Sequence, residues 1–207
     1  MMKLYGHELS GNAYKIRLLL SLLGIEYQFV RVDLMKGEHK SPEYLKLNAF
    51  GQVPLLIDGA TILPDSQAIL VYLAGKYGNE QWLPTKPEEL SRVVRWLSTT
   101  AGEIRQGVES ARLFHLFKVK TINIEVTNQK SAFILDQINL HLADKKWLEL
   151  GRPTIADIAA FPYIALAPDG KIPLDGYPHI LAWIERIKQL PGFVGMAGIK
   201  APASVTG

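Results

Sequence analysis

The 207-residue chain has a hydrophobic content of 48%, a charged content of 21% and a formal net charge of +3. This length fits one large domain or two modest ones, and the composition is ordinary for a globular protein. The positive charge is dispersed, which argues against nucleic-acid binding, and no apolar run reaches the ~20 residues that cross a membrane. The chain has no cysteine, so disulfides and thiolate metal sites are excluded, and any reacting thiol must come from a substrate. We expect no metal site and, because the N-terminus lacks a signal-peptide core, a cytoplasmic location.

Short strands and helices alternate in the first 78 residues. Residues 2–5 suit a strand, and Ser10 then stands where a helix begins, with apolar residues at helical spacing up to a stop at Gly24. The further predicted elements are a strand over 27–32, a short helix with Ser41 as cap and Pro42 at its first position, a hairpin of 53–57 and 61–63, and a helix over 65–77 ended by Gly78. The order is therefore βαβ, a short helix, and ββα.

Two prolines then interrupt the pattern, and we take residues 79–86 as a linker. The rest of the chain shows helical periodicity, with predicted helices over 87–117, 121–142, 154–166 and 178–189. Thr154 and Asp157 have the spacing of a capping box at the start of the third of these helices, with Asp in place of the usual Glu or Gln. The sequence therefore predicts an α/β N-terminal part followed by an all-α part.

A candidate binding feature lies where an apolar run begins at Pro54. Proline ahead of a strand is the commonest place for a cis peptide bond, and we expect the backbone N–H and C=O of Val53 to face outward, free to pair with an extended ligand. Asp65 and Ser66 then open a helix, and helix N-termini bind carboxylates. Together these residues form a dock for a small peptide with a free α-carboxylate. A β-turn followed by a capped helix is the alternative.

Three motifs, in this order and spacing, resemble those of the cytosolic glutathione transferase superfamily, and the resemblance covers essentially the whole chain. They are Asn48-Ala49-Phe50-Gly51-Gln52-Val53-Pro54, Asp65-Ser66-Gln67-Ala68-Ile69 and Pro153-Thr154-Ile155-Ala156-Asp157. The stretches over 6–12 and 37–43 are similar to serine-type plant and bacterial members. As a whole, the sequence is most similar to the chi-class enzymes of cyanobacteria.

The resemblance implies the glutathione transferase fold: a thioredoxin-like domain over 1–78 that binds glutathione, a linker over 79–86, and a helical-bundle domain over 87–207 that binds the electrophile. It implies a cytoplasmic detoxification enzyme that conjugates glutathione, as co-substrate and without a metal, to small hydrophobic electrophiles. A homodimer formed through helices near 65–77 and 87–117 is also implied. A non-catalytic carrier of glutathione or hydrophobic ligands, and a glutathione-dependent peroxidase or isomerase, are the alternatives.

The resemblance also implies how glutathione is held. The residues implied are Gln52, Asp65 and Ser66 at the γ-glutamyl end, Val53 and Pro54 beside the cysteinyl residue, and His39 and Lys40 at the glycyl carboxylate. Ser66 would bind the γ-glutamyl carboxylate and Asp65 its ammonium, while the Val53 backbone pairs antiparallel with the cysteinyl residue. For His39 and Lys40, a solvated loop is the alternative.

Ser10 is the residue implied in thiol activation, although the same serine also suits a plain helix cap. A free thiol has a pKa of ~8.5, and lowering it by about two units requires roughly 2.7 kcal/mol. A hydrogen bond from Ser10 to a sulfur anion contributes ~1.5–3 kcal/mol and the helix N-terminus ~0.3–1 kcal/mol, so no general base is needed. Tyr5 is a rival donor, and Asn12 is placed to support or replace Ser10. Lys15, near the same helix start, would raise the local potential, although we expect it on a solvated face.

The residues of the electrophile pocket are harder to predict from the sequence than those of the glutathione site. Its candidate residues are Leu9, Arg105, Glu109, Arg112 and His115. Arg105, Glu109 and Arg112 share one helix face by their spacing of four and three. They either line the cleft, where two arginines suit a polarised or anionic electrophile, or form a row of surface ion pairs. A packed histidine is the alternative for His115.

Overall fold

The computed structural model of the protein describes residues 1–202. Its N-terminal part contains one four-stranded mixed sheet with the strand order β2-β1-β3-β4. The strands are β1 (Lys3–Gly6), β2 (Gln28–Arg31), β3 (Leu55–Asp58) and β4 (Thr61–Pro64). Strand β1 pairs in parallel with β2 and antiparallel with β3, which forms an antiparallel hairpin with β4.

Helices connect these strands and cover the sheet. They are α1 (Gly11–Leu22), α2 (Pro42–Leu47) and α3 (Ser66–Tyr77), with a 3-10 turn over Glu38–Lys40 before α2. Successive side chains of a strand point to opposite faces of the sheet. Accordingly, Leu4 lies in the main core, whereas Tyr5 packs against a smaller cluster that contains Tyr44.

The remainder of the described chain is predominantly helical. Its elements are α4 (Pro87–Thr99), a π-helical segment (Thr100–Glu109), α5 (Ser110–Phe117), α6 (Ile124–His141), α7 (Ile155–Ala165), a 3-10 turn (Ala167–Gly170) and α8 (Pro178–Lys188). This arrangement confirms the predicted fold class, an α/β part followed by a helical part. Within residues 1–202, no helix is both long and apolar enough to cross a membrane.

Residues 87–117 are helical, as predicted, but a π-helical segment separates α4 from α5 within this range. Gly107 has a non-helical backbone there, with φ −95° and ψ −105°. A Cβ atom on Gly107 would lie 3.0 Å from the Cα atom of Ser131 in α6. Glycine therefore allows the two helical backbones to approach closely at the point where the geometry departs from an α-helix.

The predicted capping box at the start of α7 is confirmed. Thr154 and Asp157 make both reciprocal bonds of that motif. The fully buried Asp157 carboxylate also accepts hydrogen bonds from the Leu148 amide at 3.0 Å and from the Trp183 indole at 2.9 Å. Burial raises the pKa of Asp157 to about 6 despite these bonds. The cap is thus also a junction that joins α7 to α8 and to the loop before α7.

The segment between the two parts of the chain is held against this junction. The Ile155 amide donates to the Trp82 carbonyl at 3.0 Å, and the Arg152 guanidinium donates to the Glu80 carbonyl at 2.8 Å. These contacts fix residues 80–82 beside the start of α7, so the connection is packed rather than free.

Candidate active site

Two adjoining pockets lie between the sheet part of the chain and the helical part. The Ser66 pocket, of ≈ 310 Å³, is lined by residues that include Lys15, Pro54, Asp65, Ser66, Gln67 and Thr100. The Ser10 pocket, of ≈ 320 Å³, is lined by residues that include Leu9, Ser10, His39, Lys40, Arg112 and Tyr163. Both pockets also contact Asn12, Gln52, Val53, Arg105 and Glu109. Because of these shared walls, the two pockets form one cleft.

The Ser66 pocket is built on the N-terminus of α3. Asp65 caps this helix, its Oδ1 accepting from the amides of Gln67 at 2.8 Å and Ala68 at 3.0 Å. Its φ of +74° is unusual for a residue other than glycine, and such backbone strain is common at functional sites. Ser66 is buried, and the Gln67 Oε1 atom is buried without a partner among residues 1–202. The pocket therefore offers the positive end of a helix to an anion, beside acceptors for a cation.

Val53 borders both pockets just before β3. The Val53–Pro54 peptide bond is cis, as predicted. The preceding residue is held firmly, because the Gln52 carbonyl accepts from the Tyr44 hydroxyl at 2.7 Å and the Asn48 amide at 2.8 Å. Neither backbone group of Val53 has a hydrogen-bond partner in the described chain. An extended ligand can therefore pair with both of them.

His39 and Lys40 lie in the 3-10 turn that precedes α2 and line the Ser10 pocket. The Lys40 ammonium donates to the Phe50 carbonyl at 3.1 Å. Burial, and secondarily the charge of Lys40, lowers the pKa of His39, whose Nδ1 atom is buried with no partner inside the described ranges. Gly51, at φ +56°, lies directly beneath, where a Cβ atom would stand 2.6 Å from the His39 carbonyl oxygen.

Ser10 is the N-cap of α1 and borders the Ser10 pocket. Its Oγ accepts a hydrogen bond from the Ala13 amide at 3.2 Å. Its own proton finds no acceptor in the part of the chain that the structure describes. The cap role and a donor role are therefore compatible, since one uses a lone pair of the hydroxyl and the other its proton.

Tyr5 and Asn12, the other two candidates for thiol activation, occupy different places. Tyr5 lies outside both pockets and packs edge-on against Tyr44, with ring centroids 6.4 Å apart. Asn12 lies at the centre of the cleft. Its Oδ1 accepts from the Lys15 ammonium at 2.7 Å and from the Ser66 hydroxyl at 3.2 Å, and its Nδ2 donates to Glu109 at 3.4 Å.

The expected solvated position of Lys15 is wrong, since the side chain is only 1% exposed. Helix α1 is covered on nearly all sides, so its polar positions are not necessarily surface positions. The Lys15 ammonium lies 5.3 Å from the centroid of the Tyr163 ring. Burial lowers the pKa of Lys15 to about 8.

The helical part contributes three charged side chains to the cleft. Arg105 and Glu109 form an ion pair at 3.2 Å, and burial raises the pKa of Glu109. Arg112 does not join them: it donates to Asp169 at 2.9 Å and to the Leu9 carbonyl at 2.9 Å. Arg112 therefore links α5 to the residue before Ser10, and a row of surface ion pairs does not describe the three residues.

Some lining residues were missed, and one candidate lies elsewhere. Leu34, Leu113 and Phe117 line the Ser10 pocket, and the last two are four residues apart on one face of α5. His115 lines neither pocket and packs against Phe114, with ring centroids 5.0 Å apart. Across residues 1–202, no group of three His, Asp or Glu residues is placed to hold a metal ion.

Comparisons with known proteins give the same family for both parts of the chain. Residues 1–75 match the family "Glutathione S-transferase, N-terminal domain" and residues 111–191 match "Glutathione S-transferase, C-terminal domain". Glutathione S-transferase 3 of Zea mays is 33% identical over 204 residues, covering 93% of this chain and 91% of the relative. Glutathione S-transferase F9 of Arabidopsis thaliana is 30% identical over 207 residues, covering 93% and 94%.

Solved structures show the same similarity. A glutathione S-transferase from Pseudomonas fluorescens Pf-5 superposes with a TM-score of 0.88 at 31% identity, covering 94% of this chain and 98% of its own. A glutathione transferase homologue from Drosophila mojavensis, solved with bound glutathione, has a TM-score of 0.84 at 30% identity and covers 92% and 88%.

Proposed function

Because this chain belongs to the glutathione S-transferase family of enzymes, we propose that it conjugates glutathione to small hydrophobic electrophiles in detoxification. The observation that carries the proposal is the Ser10 hydroxyl, which borders the cleft at the N-terminus of α1 with its proton free to donate. Beside it lies a pocket whose polar groups suit the γ-glutamyl end of glutathione.

The residues of the cleft fit glutathione along its length. The N-terminal end of α3, where the Ser66 amide has no partner among residues 1–202, suits the γ-glutamyl carboxylate. The Ser66 hydroxyl suits it too once its proton turns from Asn12 to the ligand, and the carboxylate of Asp65 suits the neighbouring ammonium. The unpaired backbone groups of Val53 suit the cysteinyl residue. His39 and Lys40, which line the Ser10 pocket, suit the glycyl carboxylate. Bound in this direction, the ligand has its sulfur toward Ser10.

Ser10 then stabilises the sulfur in its anionic form. Glutathione supplies the nucleophilic sulfur, and the protein's task is to lower its pKa by about two units, roughly 2.7 kcal/mol. The hydrogen bond from Ser10 supplies ~1.5–3 kcal/mol and the α1 N-terminus ~0.3–1 kcal/mol. Since Tyr5 lies outside both pockets, we assign this role to Ser10, which makes the protein a serine-type enzyme. The similarity of the sequence as a whole to the chi-class enzymes supports that subclass.

We assign the two reactants to the two parts of the chain. We propose residues 1–78 as the glutathione-binding domain, 79–86 as the linker and 87–207 as the electrophile-binding domain. Leu9, Leu113 and Phe117 give the Ser10 pocket an apolar wall, which suits a hydrophobic electrophile. By analogy with the family, the enzyme acts in the cytoplasm as a homodimer joined through α3 and α4.

The test of Ser10 is the pKa of glutathione bound to the protein, followed through thiolate absorbance against pH. Replacing Ser10 with Ala should raise that pKa by at least about one unit, because it removes ~1.5–3 kcal/mol of stabilisation. Ser10→Thr, which keeps both hydroxyl and cap, is the matched control and should change it little. Tyr5→Phe should leave it unchanged. An unchanged pKa in Ser10→Ala, or a raised pKa in Tyr5→Phe, would contradict the assignment.

The reaction itself is tested with a panel of halonitrobenzenes, isothiocyanates, epoxides and hydroperoxides in the presence of glutathione. Conjugation predicts turnover of at least one of the first three classes, lost in step with the thiolate in Ser10→Ala. Turnover of hydroperoxides alone would indicate a peroxidase. Tight glutathione binding without turnover of any class would indicate a carrier.

A further inference from the structure

The buried ammonium of Lys15 has no directly paired counter-ion among residues 1–202. Lys15 lies in α1 with 1% of its surface exposed. Its Nζ donates one hydrogen bond, to Asn12 Oδ1 at 2.7 Å. An ammonium group carries three N–H donors, so two remain. The face of the Tyr163 ring, at 5.3 Å, covers one side of the group.

The charges that face Lys15 leave it only partly compensated. No carboxylate oxygen of the described residues lies within 4.0 Å of its Nζ. Glu109 of the π-helical segment and Asp65, the N-cap of α3, act on it from farther away, and Arg105 opposes them. Glu109 is itself paired with Arg105 at 3.2 Å. Buried charges are normally paired, because an isolated one is costly to remove from water.

The position of this ammonium indicates what would pair with it. Lys15 lines the Ser66 pocket together with the first residues of α3. Asn12 Oδ1 accepts from both Lys15 and Ser66, so the two donors converge on one atom at the wall of the pocket. A helix N-terminus and a lysine ammonium on one wall are both complementary to a carboxylate.

On the proposed function, we infer that Lys15 supplies the positive charge that pairs with the γ-glutamyl α-carboxylate of glutathione, beside Ser66. Lys15 acts in glutathione binding and not on the sulfur, so its loss raises the KM for glutathione more than it lowers kcat. It also orients Asn12, and through Asn12 the Ser66 hydroxyl.

The experiment compares two ligands by calorimetry. One is S-methylglutathione, whose blocked sulfur removes the contribution of Ser10, and the other is the same compound without the γ-glutamyl α-carboxylate. The preference of the unmodified protein for the first ligand is compared with that of Lys15→Met and Lys15→Arg. A hydrogen bond to a charged group is worth ~1.5–3 kcal/mol, so Lys15→Met should reduce the preference about tenfold or more. Lys15→Arg, which keeps the charge, should retain most of it.

A second measurement uses only the unmodified protein and therefore does not depend on a variant that folds. Pairing with a carboxylate raises the pKa of Lys15 from about 8. At pH 8, binding of S-methylglutathione should therefore take up roughly half a proton per protein molecule. The uptake is obtained by comparing the binding enthalpy in buffers of different ionisation enthalpy. The ligand without the carboxylate should take up much less.

The outcomes separate this inference from the proposed function. If Lys15→Met weakens the binding of both ligands equally, the role of Lys15 is structural and the inference is wrong, while the proposed glutathione site is unaffected. Equal proton uptake with both ligands would overturn it in the same way. If the unmodified protein binds neither ligand, the proposed function and the inference fail together.

Discussion

Replacing Asp157 with Ala tests how the start of α7 stabilises the fold. The carboxylate is fully buried and accepts from the amides of Leu148 and Thr154, each at 3.0 Å, and from the Trp183 indole at 2.9 Å. Alanine removes the acceptors but leaves three buried N–H donors. The substitution should therefore destabilise the protein although it adds no bulk and no new charge.

The magnitude follows from two opposing contributions. Three buried donors without acceptors cost about 2 kcal/mol each, or ~6 kcal/mol together. Removing the carboxylate also removes its ionisation penalty: the rise of its pKa from 3.8 to about 6 corresponds to about 3 kcal/mol above pH 6. The net loss of unfolding free energy at pH 7 should be about 3 kcal/mol, which lowers Tm by roughly 6–12 °C.

Urea unfolding followed by far-UV circular dichroism measures this loss. Asp144→Ala is the control, because that carboxylate is 79% exposed and pairs only with Lys145; its effect should stay below about 0.5 kcal/mol. A loss of less than about 1 kcal/mol in Asp157→Ala would refute the reasoning from unsatisfied donors.

The same variant has a predicted pH dependence. Because the folded pKa of Asp157 is raised to about 6 from 3.8, folding takes up a proton in this window. The ionisation penalty is fully present above pH 6 and disappears as the pH falls toward 4. The destabilisation caused by Asp157→Ala should therefore grow from pH 7 to pH 4.5, and a difference that shrinks over this range would contradict the direction of the shift.

Two glycine substitutions test positions where the backbone needs the absence of a side chain. Gly51→Ala places a Cβ atom 2.6 Å from the His39 carbonyl oxygen at a φ of +56°. It should therefore displace the turn that contains His39 and Lys40 and weaken glutathione binding severalfold, as measured by calorimetry. An unchanged affinity would mean that His39 and Lys40 do not bind glutathione. Gly107→Ala places a Cβ atom 3.0 Å from Ser131 Cα and should destabilise the protein by ~1–3 kcal/mol, as overpacking does. An unfolding free energy equal to that of the unmodified chain would mean that α6 shifts enough to accommodate the added Cβ atom.

Features that depend on a few neighbouring residues could be predicted from the sequence. The caps at Ser10 and Ser41, the capping box of Thr154 and Asp157 and the cis bond before Pro54 were all predicted correctly. Each is a local competition for backbone hydrogen bonds or a property of one peptide bond, so a short stretch of sequence contains the determining atoms.

Features that depend on distant contacts could not be predicted in this way. The sequence predicted a solvated Lys15. Its side chain is instead covered by the ring of Tyr163, which is far along the chain, and bonded to the nearby Asn12. The non-helical backbone at Gly107 lies where α6 approaches closely at Ser131, a contact between residues distant in sequence. Helical periodicity shows which face is apolar but not which neighbour approaches it, so the side chains lining the cleft were only partly predicted.

The shared wall of the two pockets bears on how such an enzyme diverges. On the proposed function both pockets hold parts of glutathione, so a change at a residue that borders both would alter the hold on two parts of this ligand at once, and substitutions there are tightly constrained. Leu34, Leu113 and Phe117 border the Ser10 pocket alone. Variation at these three positions can alter the range of electrophiles while the hold on glutathione is retained, and new specificities should arise there first, whether by natural drift or by directed evolution.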